Sequence, residues 1–295
     1  MTKTYCGYVA IIGRPNVGKS TLLNSLVGEK VSISCHKRQT TRHVIHGIKT
    51  DDPYQIVYVD TPGIHKETNR GLNRYMNRVA SQSFHDVDLI LFVIDVTRWT
   101  AEDDIVLKQL EKVTTPVVLV VNKIDHIKQK DTLLPVLADL QSKYDFKSLV
   151  PISALKSDNI DVLESVIKPY LPESPFFFPK DQTTDRRDNF VISELIREKL
   201  YEQVHEEIPY SATIVVEKLE RTKKLLTIHA LIYVERKSQK TIIIGKNGEQ
   251  LKTIGQQARF ELEKKYDIKV LLKLWVKVKD TWADDSRFMQ SVGYD

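Results

Sequence analysis

The chain has 295 residues, a length that exceeds the usual single domain and predicts two domains. Its hydrophobic content of 41% is ordinary, and no run of residues approaches the apolar length of a membrane-spanning helix. The first residues lack a signal-peptide pattern, and the two cysteines, Cys6 and Cys35, show neither metal nor redox spacing. We therefore expect a protein of the reducing cytoplasm.

The net charge of +5 is concentrated in one region. Between Lys218 and Lys279 the sequence has sixteen Lys or Arg and six Asp or Glu, an excess of ten, so the remaining residues carry about −5. A confined basic block is typical of a surface that binds a polyanion. A solvated lysine-rich face is the alternative, and charge alone leaves both open.

The first predicted strand, Tyr8–Ile12, is an apolar run suited to burial on both faces. Residues 13–20 read Gly-Arg-Pro-Asn-Val-Gly-Lys-Ser and match the P-loop G-x-x-x-x-G-K-[ST] at every fixed position, and a leucine-rich helix follows. This strand–loop–helix context disfavours the alternative of a simple glycine turn. The nucleotide-contacting set expected here is Gly13, Asn16, Val17, Gly18, Lys19, Ser20 and Thr21.

Three residues of this loop have specific expected roles. Gly18 would let the backbone approach the phosphates, and Lys19 would reach the β- and γ-phosphates. The hydroxyl of Ser20 would coordinate Mg²⁺. Backbone N–H groups and the helix dipole would add to the attraction for phosphate.

Two polar segments flank the next predicted strands, which are approximately Val44–Lys49 and Gln55–Val59. In the segment 39–43, Gln-Thr-Thr-Arg-His, a threonine could complete a Mg²⁺ shell, although an ordinary turn fits the same residues. Asp60 ends the following strand at the sheet edge where ligands bind, and it could hold the Mg²⁺ shell. The N–H of Gly63 could meet the γ-phosphate.

Further apolar strands and helical patterns alternate along the chain and predict a doubly wound, mostly parallel α/β sheet. The strands are Leu89–Val93, Val117–Val121 and Ser148–Ile152, and the helices include Asp103–Lys112 and Ile160–Tyr170. The word Asn122-Lys123-Ile124-Asp125 follows one strand, and Asp125 could accept two hydrogen bonds that guanine donates and adenine cannot. After the next strand, Ser153, Ala154 and Leu155 would back the base.

The stretch Leu171 to Arg187 contains three prolines and no periodicity. We therefore predict a first domain at 1–172, a linker at 173–187 and a second domain at 188–295.

The second domain is predicted to be α+β, in the order helix, strand, strand, G-x-x-G, helix, strand. The elements are Phe190–Glu206, Ala212–Leu219, Leu225–Val234, the word Gly245-Lys246-Asn247-Gly248, a helix to Lys265 and Ile268–Lys279. A capped short helix should follow between Thr281 and Val292. Trp275 and Trp282 are expected in the core rather than as base-stacking platforms.

The wording of residues 13–20, 39–43 and 60–65 resembles the translation-factor class of P-loop GTPases and, within it, the Era-type bacterial GTPases. The second domain resembles a type II KH domain. The resemblance implies GTP or GDP with Mg²⁺ as ligands, catalytic roles for Lys19, Thr41 and Gly63, and Thr41 rather than Thr40 on the metal. It also makes residues 241–244 the end of a helix, where local propensity predicts a strand.

The same resemblance implies that the loop Gly245, Lys246, Asn247, Gly248 binds RNA over about four nucleotides. The implied partners are the single-stranded 3′ end of small-subunit ribosomal RNA and the 30S subunit, with no DNA. We expect a monomer. The sequence does not indicate whether the protein also associates peripherally with the inner face of the cell membrane, so that association stays open. A groove formed by Ile243, Ile244, Leu251 and Ile254 would hold the bases.

One position departs from the Ras-type site. Ile64 stands where those proteins carry a water-orienting glutamine, and isoleucine cannot orient water by hydrogen bonding. His65 is an exposed switch residue of a kind that is more often a bystander. In relatives that this chain resembles, an asparagine at the position of Asn16 helps hold a potassium ion that substitutes for an arginine finger.

Two alternatives remain at this level. A GTPase of tRNA modification has similar words, but it carries a helical domain around the G domain that this chain lacks. The other is an RNA-binding protein whose nucleotide site only stabilises the fold. Intact Lys19, Ser20, Thr41 and Asp60 argue against it.

Overall fold

The computed structural model describes residues 3–34, 40–63, 71–82, 86–127, 133–204 and 208–294. Cys35, Ile64 and His65 lie outside these ranges. The chain divides into two compact units, one made of Met1–Asn69 and Asn73–Asp185, the other of Arg70–Leu72 and Arg186–Asp295. Across the described ranges, no helix is both long enough and apolar enough to cross a membrane.

The first unit contains a six-stranded sheet in the order β2-β3-β1-β4-β5-β6. Only the β2–β3 pair is antiparallel. The strands are β1 Tyr5–Ile12, β2 Ile45–Asp51, β3 Tyr54–Asp60, β4 Leu89–Asp95, β5 Val117–Asn122 and β6 Ser148–Pro151. The helices along this part of the chain are α1 Lys19–Val27, α2 Gly71–Gln82, α3 Ala101–Leu110, α4 Leu133–Gln141 and α5 Ile160–Ile167. The prediction of a doubly wound, mostly parallel α/β fold is confirmed.

The central strands form because their residues are almost all apolar. Every residue of β4 and β5 is buried, as expected for parallel strands covered on both faces by helices. Most strands extend one to three residues beyond the predicted ends. Asp60 and Asn122 still pair within the sheet although they are polar, opposite Ile11 and Asp95 respectively. The sheet therefore carries polar side chains directly at its carboxyl edge.

The stretch predicted to be a linker is hydrogen-bonded to the first unit over much of its length. The buried side chain of Gln55 accepts from the N–H groups of Phe177 and Phe178 at 2.8 and 3.0 Å. Its Nε2 donates to the carbonyl of Phe178 at 2.8 Å. Further along, the N–H of Ile48 donates to the carbonyl of Thr183 at 2.8 Å. These contacts require the chain to follow the surface of the sheet.

The second unit contains a three-stranded sheet in the order β7-β8-β9. Strands β7 (Thr213–Arg221) and β8 (Leu225–Val234) are antiparallel, and β9 (Lys269–Val278) is parallel to β8. The helices are α6 Asp188–Gln203, α7 Lys237–Ile244, α8 Glu249–Tyr266 and α9 Ser286–Ser291. Residues 241–244 belong to α7, as the resemblance implied and against local strand propensity.

The core of this unit lies on one face of its sheet. Alternate residues of β8 and β9 pack there against α6, α7 and α8. Trp282 is fully buried, and its Nε1–H donates to the carbonyl of Ser211 at 2.7 Å. Trp275 is 44% exposed, so its predicted place in the core is wrong. The strand register explains this, because Val276 faces the core and its neighbour Trp275 must face outward.

Candidate functional site

The sequence motifs of the first unit meet at the carboxyl edge of its parallel strands. The P-loop follows β1, Asp60 ends β3, Asn122 ends β5 and Ser153 lies just after β6. They surround a cavity of about 380 Å³. The predicted residues that line it are Asn16, Gly18, Lys19, Ser20, Thr21, Thr41, Gly63, Asn122, Lys123, Asp125, Ala154 and Leu155. Gly13, Val17, Asp60 and Ser153 are buried behind that surface.

The Lys19 ammonium is held by the P-loop itself. Its Nζ donates to the carbonyls of Gly13 at 2.8 Å and Arg14 at 3.0 Å. Burial lowers the pKa of Lys19 to about 8, although the carboxylate of Asp60 opposes the shift. A phosphate group in the cavity would favour the charged form, so the lysine is suited to bind an anion there.

Gly18 serves a packing role that the motif alone did not show. Its φ of 99° is in the left-handed region, and a Cβ would lie 2.4 Å from Nδ2 of Asn122. That amide in turn donates to the carbonyl of Val17 at 2.8 Å. The glycine therefore allows the P-loop to contact the base-reading word directly, in addition to any close approach to phosphate.

Three oxygen-bearing side chains converge at the predicted Mg²⁺ position. The hydroxyl of Ser20 lies 2.7 Å from Oγ1 of Thr41 and donates to Oδ2 of Asp60 at 2.8 Å. Thr41 donates to the same carboxylate oxygen at 3.3 Å. Hydroxyl and carboxylate oxygens are the donors that Mg²⁺ prefers.

The carboxylate of Asp60 is completely buried, and burial raises its pKa while the charge of Lys19 lowers it. Its Oδ1 has no hydrogen-bond partner within the described part of the chain. A buried, unpaired carboxylate oxygen is costly. The donor set and this free lone pair both fit a hard divalent cation.

Asn122 and Lys123 connect the base side of the cavity to the phosphate side. Oδ1 of Asn122 accepts from the N–H of Ala154 at 3.0 Å, while its amide reaches the P-loop. Nζ of Lys123 donates to the carbonyl of Asn16 at 2.7 Å and to Oδ2 of Asp95 at 2.8 Å. The P-loop and the motif of residues 122–125 are therefore parts of one hydrogen-bonded structure.

Asp125 is oriented by Ser153, whose hydroxyl donates to its Oδ1 at 2.6 Å. This hydrogen bond is the main reason that the pKa of Asp125 lies below its ordinary value. The group is therefore an ionised acceptor at neutral pH, which suits the expected recognition of guanine N1–H and N2–H₂. Leu155 is 76% exposed at the rim of the same cavity.

Sequence reasoning missed several supporting side chains. Nε of Arg14 donates to Oδ2 of Asp103 at 3.0 Å, and both side chains are buried. Asp103 also accepts from the N–H and hydroxyl of Thr100, the residue before α3. The only signal in the sequence was the T-x-x-D spacing of a helix start. Ser32 donates to Oδ2 of Asp60 at 3.2 Å. No pattern in the sequence indicated this role.

The G-x-x-G word forms the turn between α7 and α8. Gly245 and Gly248 have φ values of 72° and 80°, and Asn247 also lies in the left-handed region at 53°. A Cβ on Gly245 would lie 2.6 Å from Cβ of Gln250. Lys246 and Asn247 are exposed at the tip. The turn thus presents a cation and an amide on a backbone that requires glycine at position 245.

A groove begins at this turn and continues between α8 and β9. Its volume is about 380 Å³, and it is lined by Gly248, Leu251, Lys252, Gly255, Gln256, Arg259, Leu272 and Leu274. We call this set the loop groove. The predicted apolar groove was partly wrong, because Ile243 and Ile254 are fully buried in the core. Leu251 does line the loop groove, while Ile244 is half-buried against the core.

Comparison with known families assigns both units. Residues 8–123 match the model of the 50S ribosome-binding GTPase family, and residues 207–283 match the KH domain model. The protein named GTPase Era from Haemophilus influenzae (strain PittGG) is 52% identical over 293 residues, covering 99% of this chain and 97% of its own. GTPase Era from Pseudomonas aeruginosa (strain LESB58) is 53% identical over 289 residues, covering 98% and 95% respectively.

Two solved structures resemble the chain over nearly its whole length. A variant of Aquifex aeolicus Era bound to GDP.AlF4- has a TM-score of 0.95 at 39% identity, with 99% of each chain covered. Era in complex with MgGDPNP and nucleotides 1506–1542 of 16S ribosomal RNA has a TM-score of 0.95 at 40% identity, also with 99% of each chain covered.

Proposed function

The chain belongs to the Era family of GTPases, and on this premise we propose that its KH domain binds the 3′ end of 16S ribosomal RNA during assembly of the 30S subunit. GTP binding and hydrolysis in the first unit would act as the switch. One observation carries the proposal: a cavity lined by the residues expected to bind a guanine nucleotide and a G-x-x-G groove occur on the same chain. A relative in complex with MgGDPNP and 16S ribosomal RNA supports it. We take the protein to be a cytoplasmic monomer.

In this proposal the nucleotide spans the cavity from Asp125 to the P-loop. Asp125 accepts from guanine, and Lys19 binds the β- and γ-phosphates. Ser20, Thr41 and Asp60 would hold Mg²⁺, which neutralises phosphate charge. Because Thr41 and Gly63 lie on segments outside the P-loop, their contacts would depend on the γ-phosphate. Loss of that phosphate would release both segments, which is how such switches change state.

We also propose that K⁺ assists hydrolysis. Asn16 is exposed beside the cavity in the left-handed region, with φ 65°, and its carbonyl accepts from Lys123. A monovalent cation held by the Asn16 side chain would neutralise charge developing between the β- and γ-phosphates.

The potassium proposal predicts faster GTP hydrolysis in KCl than in NaCl at equal ionic strength. Asn16→Ala should remove the difference while leaving GDP affinity within a few-fold of the original. Equal rates in the two salts would contradict the proposal and would indicate that a partner supplies the missing charge. Measurable turnover in either salt excludes a purely structural nucleotide site.

The RNA proposal is tested by a double substitution in the exposed turn, Lys246→Asp with Asn247→Asp. Negative charge near the backbone phosphates should reduce affinity for labelled single-stranded RNA by at least about tenfold at moderate salt. GTP affinity should be unchanged, because the nucleotide residues lie in the other unit.

The matched control changes the same amount of charge elsewhere in the second unit. Lys223→Asp with Lys224→Asn alters two exposed residues of the β7–β8 turn. We expect a much smaller loss of RNA affinity in this control. Equal losses of RNA affinity in both variants would indicate that the basic region binds RNA only nonspecifically, and would reject the KH assignment of the loop.

A further inference from the structure

The sheet of the second unit has an outer face, opposite the helices, that is only partly covered. The C-terminal segment lies against one end, where the Phe288 ring lies 5.1 Å from that of Tyr233. On β9, Leu271 and Trp275 remain 42% and 44% exposed. The outward residues of β9 are Lys269, Leu271, Lys273, Trp275 and Lys277. This combination of lysines with an exposed indole is a feature that packing alone does not require.

Trp275 is positioned rather than simply unpacked. Its ring centroid lies 5.4 Å from that of His229 on β8, with the ring planes at 73°. Lys273 and Lys277 lie two residues away on either side, about 7 Å along the same face. Nζ of Lys277 is 3.7 Å from a carboxylate oxygen of Glu217. Lys273 forms no ion pair with any residue in the described ranges, so its charge is available to a ligand.

Charge and chemistry favour a nucleic acid as the occupant of this face. An exposed aromatic ring can stack on any base, and lysines beside it can contact the phosphates of the same strand. The face lies within the region 218–279, which carries an excess of ten positive charges. An acidic or purely apolar partner would use only one of these two properties.

The outer face is also continuous with the loop groove. Strand β9 is at the edge of its sheet, with Leu272 and Leu274 lining the groove and Lys273 and Trp275 on the opposite face. A G-x-x-G loop holds about four nucleotides. A longer strand must therefore leave the groove, and beyond the edge of β9 it reaches the outer face.

We propose that RNA longer than the groove crosses the edge strand β9 and binds the outer face, with one base stacked on Trp275 and a phosphate near Lys273. The site takes single-stranded RNA with little preference for the base, because stacking and phosphate contacts carry no sequence code. It rests on the proposed function, since the same RNA must already occupy the loop groove.

The test compares a tetranucleotide, which fills only the groove, with a ten-nucleotide single strand, using the full-length protein. Trp275→Ala should weaken binding of the longer RNA by about tenfold, the typical effect of losing one base–aromatic stack, and leave the tetranucleotide unaffected. Trp275→Phe keeps an aromatic face and should restore most of the affinity. An equal loss for both lengths would indicate a structural effect and overturn the proposal.

A charge test follows the same logic. Lys273→Glu should weaken only the longer RNA, whereas Lys112→Glu, the same change at an exposed residue of the first unit, should weaken neither. Unchanged affinity of Trp275→Ala and Lys273→Glu for the longer RNA would overturn this proposal alone, provided the Lys246→Asp/Asn247→Asp variant still loses binding. If the unaltered protein binds neither RNA, both this site and the RNA-binding function are refuted.

Discussion

Individual side chains at the nucleotide cavity act largely through one another. Asn122 does not need to touch a nucleotide to matter, because it holds both the P-loop carbonyl of Val17 and the N–H of Ala154. Ser153 orients Asp125 through its hydroxyl in the same indirect way. The motifs predicted most of the residues that line the cavity, but their spacing carried no information about these mutual contacts.

Asp125→Asn should shift base preference from guanine towards xanthine. An amide can donate to xanthine O2, where the carboxylate accepts from guanine N2–H₂, and an unpaired polar group in the site costs about 1–3 kcal/mol. GTP affinity should therefore fall at least about tenfold while XTP affinity rises. Nucleotide titrations measure both. Asp139→Asn, the same change on exposed α4, should alter neither, and equal loss of GTP and XTP would remove Asp125 from base reading.

The two glycines that bound α1 offer a paired residue-scale test. Gly18 and Gly28 both have positive φ, 99° and 80°, but only at Gly18 would a Cβ meet another group, Nδ2 of Asn122 at 2.4 Å. Gly28→Ala should cost about 1 kcal/mol of unfolding free energy from backbone strain and leave GDP affinity intact. Gly18→Ala should add a clash and lower GDP affinity at least about tenfold. Urea denaturation and GDP titration separate the two effects, and normal GDP binding by Gly18→Ala would contradict the packing role.

At the scale of elements, the fold was predictable where periodicity was strong. The buried runs of β4 and β5 and the alternation of β9 identified those strands, because burial on one or two faces leaves a direct mark on the sequence. The segment 241–244 was not predictable from propensity, since Ile-Ile-Ile favours a strand but packs here as the end of α7. The predicted burial of Trp275 was wrong for a related reason. Which face of the sheet a residue occupies depends on the strand register, and a single residue does not reveal that register.

The stretch 173–185 shows the same limit, because the hydrogen bonds at Phe177 and Phe178 come from a distant buried glutamine that has no local pattern. Gln55→Leu would leave the N–H groups of Phe177 and Phe178 and the carbonyl of Phe178 without their partner. We expect the part of the segment around Phe177 and Phe178 to loosen while the hydrogen bond from Ile48 to Thr183 remains, and trypsin to cleave at the nearby Lys180 about tenfold faster. The time course of limited proteolysis checks this. Gln141→Leu, at an exposed site, should cleave like the unaltered chain, and an unchanged rate for Gln55→Leu would contradict the anchoring role.

At the scale of the whole molecule, charge and chemistry are divided along the chain. The region 218–279 has an excess of ten positive charges, while the guanine and phosphate words lie in the remainder at about −5. The sequence predicted this division fully, because net charge needs no three-dimensional information. It could not predict which basic side chains face the loop groove and which face the outer surface of the sheet.

This division predicts that the affinity for RNA should depend on salt concentration through the basic region. RNA held by about four phosphate contacts should show a slope of log affinity against log salt of roughly −2 to −3. The Lys246→Asp/Asn247→Asp variant should have a shallower slope, and Asp125→Asn should keep the original slope in the absence of nucleotide. Fluorescence anisotropy over a series of KCl concentrations measures it. A slope near zero would show that the basic region does not contact the RNA backbone.

The contact between Gly18 and Asn122 has a consequence for exchanging parts between related proteins. Exchanging a P-loop between proteins treats it as an independent motif, yet here its backbone conformation is fitted to a side chain more than a hundred positions away. Gly18 is a fixed motif position and Val17 accepts through its backbone carbonyl, so a transplanted P-loop would keep both contacts only where the recipient chain has an asparagine at the position of Asn122. Loop and amide must therefore be inherited, or engineered, as a pair.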